Sequence, residues 1–470
     1  MATFKERIQN ECNFIDHLDL IRSSMAPVST DMATHILSAR AFNATSSVSQ
    51  LRQTWVNPTG TISVLLILGG DVVQKALAQL VGGRLTPVSF SFGWVAYAVG
   101  AVVSAVGENK LMPPSPDCKA YVVNGNNGYV RENQSWILGR MMRDYEDWMD
   151  KNIKQALEDL LDKSHRDNIQ KWEEEIKKPE KFSGRQSARP SRPSQAGICI
   201  SIYDAGVDKQ GHPIPPTPAL GFFIYSGYAI MLLQLGIAAI PLGLSGDFAI
   251  LMYTVAGNLL SLFTGTLKQW HREKWSCRQT EETSRKVTIV TRGNGAQHAI
   301  VIRNRGISFN LEDLATGARP SDAQMNRHTR VCIIALAALW IVLLISVSGQ
   351  NTDQWYLMAI GAIGTLHNIY LAGWPCPPET YGIRLKYHDV ITDTKVMPAL
   401  YNLERVVPGA GRAMLSTFFP GELREDEERK WKEFKETAKD RARTVEESEK
   451  RANGSSSASS VQDVPKSAAA

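Results

Sequence analysis

Seven polar residues stand inside otherwise apolar stretches of this chain: Asp71, Gln74, Lys75, Gln234, Asn258, His367 and Asn368. Ionisable groups inside a membrane span are costly and are default functional candidates. Asp71 and Lys75 are four residues apart, so on a helix they share a face and can pair. If the seven converge, they line a polar path or small site at mid-bilayer, where Asp71 or His367 would relay protons. The competing reading has Asp71 and Lys75 neutralising each other. It gives Gln234 and Asn258 interhelical hydrogen bonds.

Other chemistry is poorly represented. The 9 histidines form no HExxH, and the chain holds no GxSxG and no P-loop. The 6 cysteines are far apart and make no CxxC, so neither a zinc site nor a disulfide framework is suggested. Gly293-x-Gly295 lacks the following helix and the lysine-serine pair of a phosphate loop and reads as a turn. No catalytic, cofactor-binding or metal residues are assigned, no cofactor is expected, and the chain is not read as an enzyme. A net charge of +5 makes no case for nucleic acid.

The elements that must position the seven are apolar stretches of about 20 residues, the length that crosses a bilayer core of about 30 Å. Pro87–Gly107, Ala219–Leu242, Phe248–Leu267, Val331–Ser348 and Trp355–Gly373 carry no charge. Thr61–Leu80 is the weaker sixth, with Asp71, Gln74 and Lys75 near its middle; its alternative is a surface or re-entrant helix. These predict an all-α membrane protein, a six-span bundle of three hairpins: 61–107, 219–267 and 331–373. The short connections hold Arg84 as their one basic residue, whereas Lys and Arg crowd the other ends of the spans. Basic residues stay on the cytosolic side. The N-terminal region 1–60, the loops 108–218 and 268–330, and the C-terminal region 374–470 are therefore expected in the cytosol. Both termini lie there, in a plasma membrane or endomembrane. Asn43, Asn133 and Asn453 then read as chance glycosylation motifs. Two small-residue stripes, Gly93/Gly100/Gly107 and Gly257/Ser261/Gly265, suit close helix packing, either within the bundle or at a homo-oligomer face.

In the first loop a long helix is expected from about Ser135 to Lys178, with Met141, Tyr145, Trp148, Ile153, Leu157 and Leu160 near one face. The basic linker Lys177–Gln195 is rich in Gly, Ser, Pro and Arg, and it could attract anionic lipid. Gly197–Ala205 alternates like a strand. KVTIVTRGNGAQHAIVI reads as a small β-hairpin about its glycines, and these strands could share one small sheet. Leu400–Leu423 should be loop with short helices. REDEERKWKEFKETAKDRARTVEESEKR should be a solvated helix, and the tail from Asn453 disordered.

The segments TISVLLILGGDVVQKALAQL, PVSFSFGWVAYAVGAVVSAVG, RENQSWILGRMMRDYEDWM, TRGNGAQHAIVI, LEDLA and FFPGELREDE extend over about residues 55–430. The layout they carry resembles a family of uncharacterised multi-pass integral membrane proteins of filamentous ascomycete fungi. That resemblance implies the fold and no activity. Two functional classes follow. One is a channel or transporter using the polar groups in the bundle. The other is a membrane-embedded scaffold or tether whose cytosolic face binds anionic lipid or protein partners.

Overall fold

Runs of β-branched residues in the long loops, flanked by glycine, are where the chain departs most from an all-helical plan. The computed structural model describes residues 69–83, 85–113, 118–177, 189–207, 216–218, 221–281, 285–317, 325–350, 353–419 and 421–437. All lie in the second of two units, Ile62–Ala470. The N-terminal region 1–60, the first half of Thr61–Leu80, most of the basic linker, the tail from Asn453, Arg84 and Asn43 lie outside the described residues.

Six strands form one mixed sheet: β1 (Tyr121–Asn124), β2 (Val130–Glu132), β3 (Ile198–Ala205), β4 (Val287–Thr291), β5 (His298–Asn304) and β6 (Leu385–Asp393), in the order β2-β1-β4-β5-β3-β6. The β4–β5 pair is an antiparallel hairpin whose turn places Gly293 at φ 94 and Gly295 at φ 81, values that favour glycine. β3 joins β5 in parallel, setting Cys199 beside His298, and β6 closes the other edge antiparallel to β3. β3 is buried over nearly its whole length because both sheet faces are covered. Ile198, Ile200 and Ile202 join one core with Ile289 and Val301, under α12 (Val396–Val406), α13 (Ala410–Ala413) and α14 (Leu415–Phe418). Cys199 and Tyr203 face the other way, into the core shared with the helix bundle.

On that second face lie α3 (Trp136–Arg143), α4 (Tyr145–Trp148) and α5 (Lys151–Ile176). The single long helix expected over 135–178 is thus broken twice, at Asp144 and at Met149–Asp150. Asp144 is buried and its carboxylate accepts from Cys376 N (3.0 Å), which holds the first break against the segment after the bundle. Asn133, one of the three glycosylation motifs, is buried; its Oδ1 accepts from Ser135 N. The charged C-terminal segment is helical over residues 425–437 and is docked rather than solvated all round. Trp431 is buried beside Tyr401, ring centroids 5.0 Å apart. Trp431→Ala is expected to free this helix. Limited trypsin digestion would then cut at Lys430 and Lys432 well before the rest of the chain, while the wild type resists there.

The bundle comprises α1 (Gly70–Leu80), α2 (Gly93–Gly107), α6 (Gly221–Ser245), α7 (Ala249–Gly265), α8 (Lys268–Lys274), α10 (Arg327–Ser348) and α11 (Gln354–Gly373); α9 (Leu311–Ala315) is a short helix beside β1. α6 packs on α7 and α11, α10 on α2 and α7, and α11 on α1. The α6–α7 and α10–α11 turns meet where Gln350 Nε2 donates to Asp247 Oδ2 (3.0 Å).

The expected all-α six-span bundle, and the multi-pass description that went with it, are overturned. Among the described residues, two helices are long and apolar enough to cross a membrane, α6 and α10. A third counts only if α7 and α8 are taken together across a 45° bend. The reasons are physical. α1 starts at Gly70, after Gly69 at φ 98, a left-handed value that interrupts a helix, and its 11 residues make about 16 Å. The stretch Pro87–Gly107 is helical only from Gly93, leaving 15 residues. α11 is 20 residues long, but buried Gln354, His367 and Asn368 lower its apolarity. The sheet, in turn, draws its strands from the regions 108–218, 268–330 and 374–470, joining β1, β2 and β6 to the strand and hairpin that the sequence predicts.

Candidate functional site

Residues 86–92, TPVSFSF, run through the bundle buried and without helix or strand. Pro87 has no N–H to give and disfavours helix at Thr86, so the apolar run starts as a leg rather than a turn of helix. The leg enters at the end of the bundle where Thr86 Oγ1 donates to Gly265 O (3.1 Å). It reaches the middle of α7 and α11, and α2 carries the chain back. Asn109, just past α2, accepts from the guanidinium of Arg330, at the start of α10. The C-terminal end of α7 and the start of α10 lie together, because their opposite ends meet at Asp247 and Gln350. Leg and α2 therefore enter and leave on the same side.

Backbone outside helix and sheet in an apolar interior must find partners for its N–H and C=O groups. The polar side chains of the surrounding helices supply them. Gln234 Nε2 donates to Phe90 O (2.7 Å) and to Ile360 O (3.0 Å). Asn258 Oδ1 accepts from Phe90 N (3.1 Å). Asn368 Nδ2 donates to Ser89 O (3.2 Å) and Ser91 Oγ (3.0 Å), and Trp94 Nε1 also donates to Ser89 O (2.9 Å). His367 Nδ1 lies 3.2 Å from Ser89 Oγ, and its Nε2 lies 3.3 Å from Ser226 Oγ. The Ser226 hydroxyl already donates to Phe223 O (2.9 Å), so a neutral ring donating from Nε2 satisfies both contacts.

Glycines make room for the leg. A Cβ at Gly227 would collide with Pro87 O, at Gly257 and Gly361 with the Phe90 and Phe92 rings, and at Gly364 with Phe90 O. The Gly257/Ser261/Gly265 stripe thus packs within the bundle. Of the other stripe, Gly93 meets Gly69, while Gly100 and Gly107 have open space beside them.

Four of the seven predicted residues, Gln234, Asn258, His367 and Asn368, are therefore brought together around one strand of backbone. The other three are not part of that constellation. Asp71 and Lys75 are exposed on α1, and Gln74 Nε2 donates to Leu111 O (2.8 Å). Asp71 and Gln74 line an open cleft of about 650 Å³ with Ser104 and Glu108. No cluster that could hold a metal occurs among the described residues.

Two polar features escaped the sequence reading. At the junction of bundle and sheet, Lys274 is buried, and its Nζ donates to Gln79 O (2.9 Å) in the last turn of α1 and to Val81 O (2.7 Å) just past it. The rings of Trp275, Tyr381 and Trp136 surround the ammonium at 4.7, 5.4 and 5.5 Å. In the sequence Lys274 stands among charged residues after an apolar stretch, and nothing local marks it as buried.

The second is a cavity of about 310 Å³ beside the β4–β5 turn, walled by Arg143, Tyr145, Glu146, Arg292, Gln297 and His298. His298 is 8% exposed, and neither ring nitrogen makes a hydrogen bond; Gln297 Nε2 is likewise buried without one. Glu146, whose side chain is 76% exposed, sits at the rim with Oε1 3.5 Å from His298 Nε2. The Tyr145 ring packs against His298 at 5.0 Å, and its hydroxyl donates to Ser201 Oγ (2.6 Å). Burial pulls the His298 imidazole below its ordinary value, with the Glu146 carboxylate opposing and the Arg292 charge reinforcing the shift. The signal in the sequence was Arg292-Gly293-Asn294-Gly295 running into a histidine, which had been read as a turn alone. No protein-family model, curated protein or solved structure matches the chain.

Proposed function

We propose that the chain is a membrane-embedded scaffold that holds its sheet layer against the lipid surface. The observation that carries this reading is the use of the polar side chains in the bundle. Gln234 Nε2, Asn258 Oδ1 and Asn368 Nδ2 bond the backbone of the buried leg, which favours a role in holding the structure together over lining a conduit. Large apolar side chains point outward from the helices, among them Phe222, Leu244, Phe263, Val331 and Ile345, which suits lipid around them. One core runs from Trp94 and Trp340 in the bundle to Tyr203 and Ile300 in the sheet, which favours a rigid mount.

The proposal places the sheet end in the cytosol. Lys268, Arg272, Arg327 and Arg330 lie at that end of the helices, whereas the turns over 246–248 and 349–353 hold Asp247 and Asp353 and no Lys or Arg.

Reconstitution into liposomes tests it. The scaffold reading expects proton and potassium gradients to decay no faster than in protein-free vesicles. It also expects sheet and bundle to melt in one transition. A gradient leak that Asn368→Ala or His367→Ala abolishes would overturn it in favour of a channel or transporter.

A further inference from the structure

We propose that the cavity between α3–α4 and the β4–β5 turn binds a phosphate-monoester group, through Arg292, Gln297 and His298. This goes beyond the scaffold reading and does not depend on it. At about 310 Å³ the cavity stands at the low end of the range for small-ligand sites, roughly 300–1,000 Å³. It is large enough for a phosphate and the first atoms of what it is attached to.

The polar atoms specify the ligand's chemistry. Buried polar groups are almost always hydrogen-bonded, so each exception calls for an explanation. Here Gln297 Nε2 and both nitrogens of His298 are buried without a hydrogen bond on one wall of one cavity. Gln297 Nε2 can only donate. Burial favours the neutral ring, which offers one N–H; a phosphate dianion alongside would, like Glu146, favour the charged ring, which donates from both nitrogens, one towards Glu146 and the other towards a ligand oxygen. Arg292, exposed on the same turn, adds a guanidinium whose fork matches the oxygens of a phosphate. Arg143 forms part of the wall, but Asp144 engages its Nε, so it contributes shape and field rather than a free fork. Glu146 is the one carboxylate on the wall, and it lies 3.5 Å from His298 Nε2 while projecting mainly into solvent. Two unpartnered donors and a nearby guanidinium on one cavity suit an oxyanion with several acceptor oxygens, as a phosphate has. Gly293 and Gly295 let the turn fold close enough to bring Arg292 and Gln297 to the same space.

The phosphate could be carried by a soluble metabolite or by a lipid headgroup. Arg143 Nη2 donates to Gly373 O (3.2 Å) at the end of α11, which places the cavity beside the end of the bundle and within reach of either source.

Calorimetry on the detergent-purified full chain with inorganic phosphate and glycerol 3-phosphate addresses the first source. Binding to nanodisc-held chain, with and without phosphatidic acid in phosphatidylcholine, addresses the second. Saturable binding in either arm, weakened at least tenfold by Arg292→Gln and by His298→Gln, is the expected result; the responding arm identifies the source. Arg292 is exposed, so its variant keeps the fold even if the His298 variant does not. Absence of saturable binding in both arms, or binding that Arg292→Gln leaves unchanged, overturns the proposal.

Discussion

Gly364→Ala is expected to prevent the bundle from closing. The added Cβ would overlap Phe90 O and stand 2.7 Å from Gln234 Nε2, so the methyl meets backbone and its hydrogen-bond partner together. Neither neighbour has slack, because the leg is held at both sides of Phe90 by Asn258 and Gln234. Overpacking alone costs about 1–3 kcal/mol. Displacing the leg adds an orphaned carbonyl at roughly 1–3 kcal/mol more. The helices gain only the small propensity advantage of alanine over glycine. Gly236→Ala supplies the control, since nothing lies within 4 Å of that position. Fluorescence-detected gel filtration and thermal melting in detergent should show Gly236→Ala at or above wild-type stability and Gly364→Ala aggregated or strongly destabilised. Equal behaviour of the two variants would mean that no backbone passes Gly364.

Lys274→Met is expected to be the second most damaging change. Methionine keeps most of the stem's volume, so the variant isolates the ammonium. Without it, Gln79 O and Val81 O lose their donor in a buried setting, at roughly 1–3 kcal/mol for each orphaned acceptor. The attraction of the three rings for the cation goes as well, about 2 kcal/mol where the charge is desolvated. The sign of the effect is informative. Replacing a buried charge with an apolar isostere often stabilises a protein when the charge is poorly met. A lower melting temperature with red-shifted tryptophan emission is expected. An unchanged or raised melting temperature would show that the lysine does not tie α1 to the sheet junction.

These two positions differ in how visible they were beforehand. The helices α6 and α10 follow from apolar runs alone, because Ala219–Leu242 and Val331–Ser348 carry no charged residue and no early proline. Strand β3 and the β4–β5 hairpin were readable from alternation and from the Gly-Asn-Gly turn. The leg was not. Hydropathy scores Pro87–Phe92 as it would a helix, and only Pro87 and the Ser-Phe alternation hint at extended chain. β1 and β2 are too short to stand out, and the half-exposed β6, LKYHDVITD, mixes charged and apolar residues. A sheet built from three remote stretches is a property of tertiary pairing, which no local window contains.

The candidate site was legible in part for the same reason. Gln234, Asn258 and Asn368 announce themselves as polar groups in apolar helices, and the hydrogen-bonding reading of Gln234 and Asn258 fits their chemistry. Their partners, however, are backbone atoms of a segment more than 100 residues away in sequence. Asp71 and Lys75 stood out more strongly by charge, yet both are exposed. Charge in a weakly apolar segment marked a helix face near water. Lys274 had no such signal, since it sits in a polar stretch that tertiary contacts bury, and His298 had only the turn before it.

The most direct test of the central claim, that the polar groups of the bundle clasp a buried leg, is the reactivity of a cysteine in place of Ser89. That side chain is fully buried, and Leu85, at the leg's entrance, is 47% exposed. Ser89→Cys and Leu85→Cys proteins in lipid vesicles would be treated with a membrane-impermeant maleimide from each side and read by peptide mass spectrometry. The account predicts labelling at position 85 from one side only. At position 89 it predicts no labelling from either side until the protein is denatured. Labelling of the Ser89→Cys protein in its native state would show water at the centre of the bundle, and the leg would then line a conduit instead of filling one.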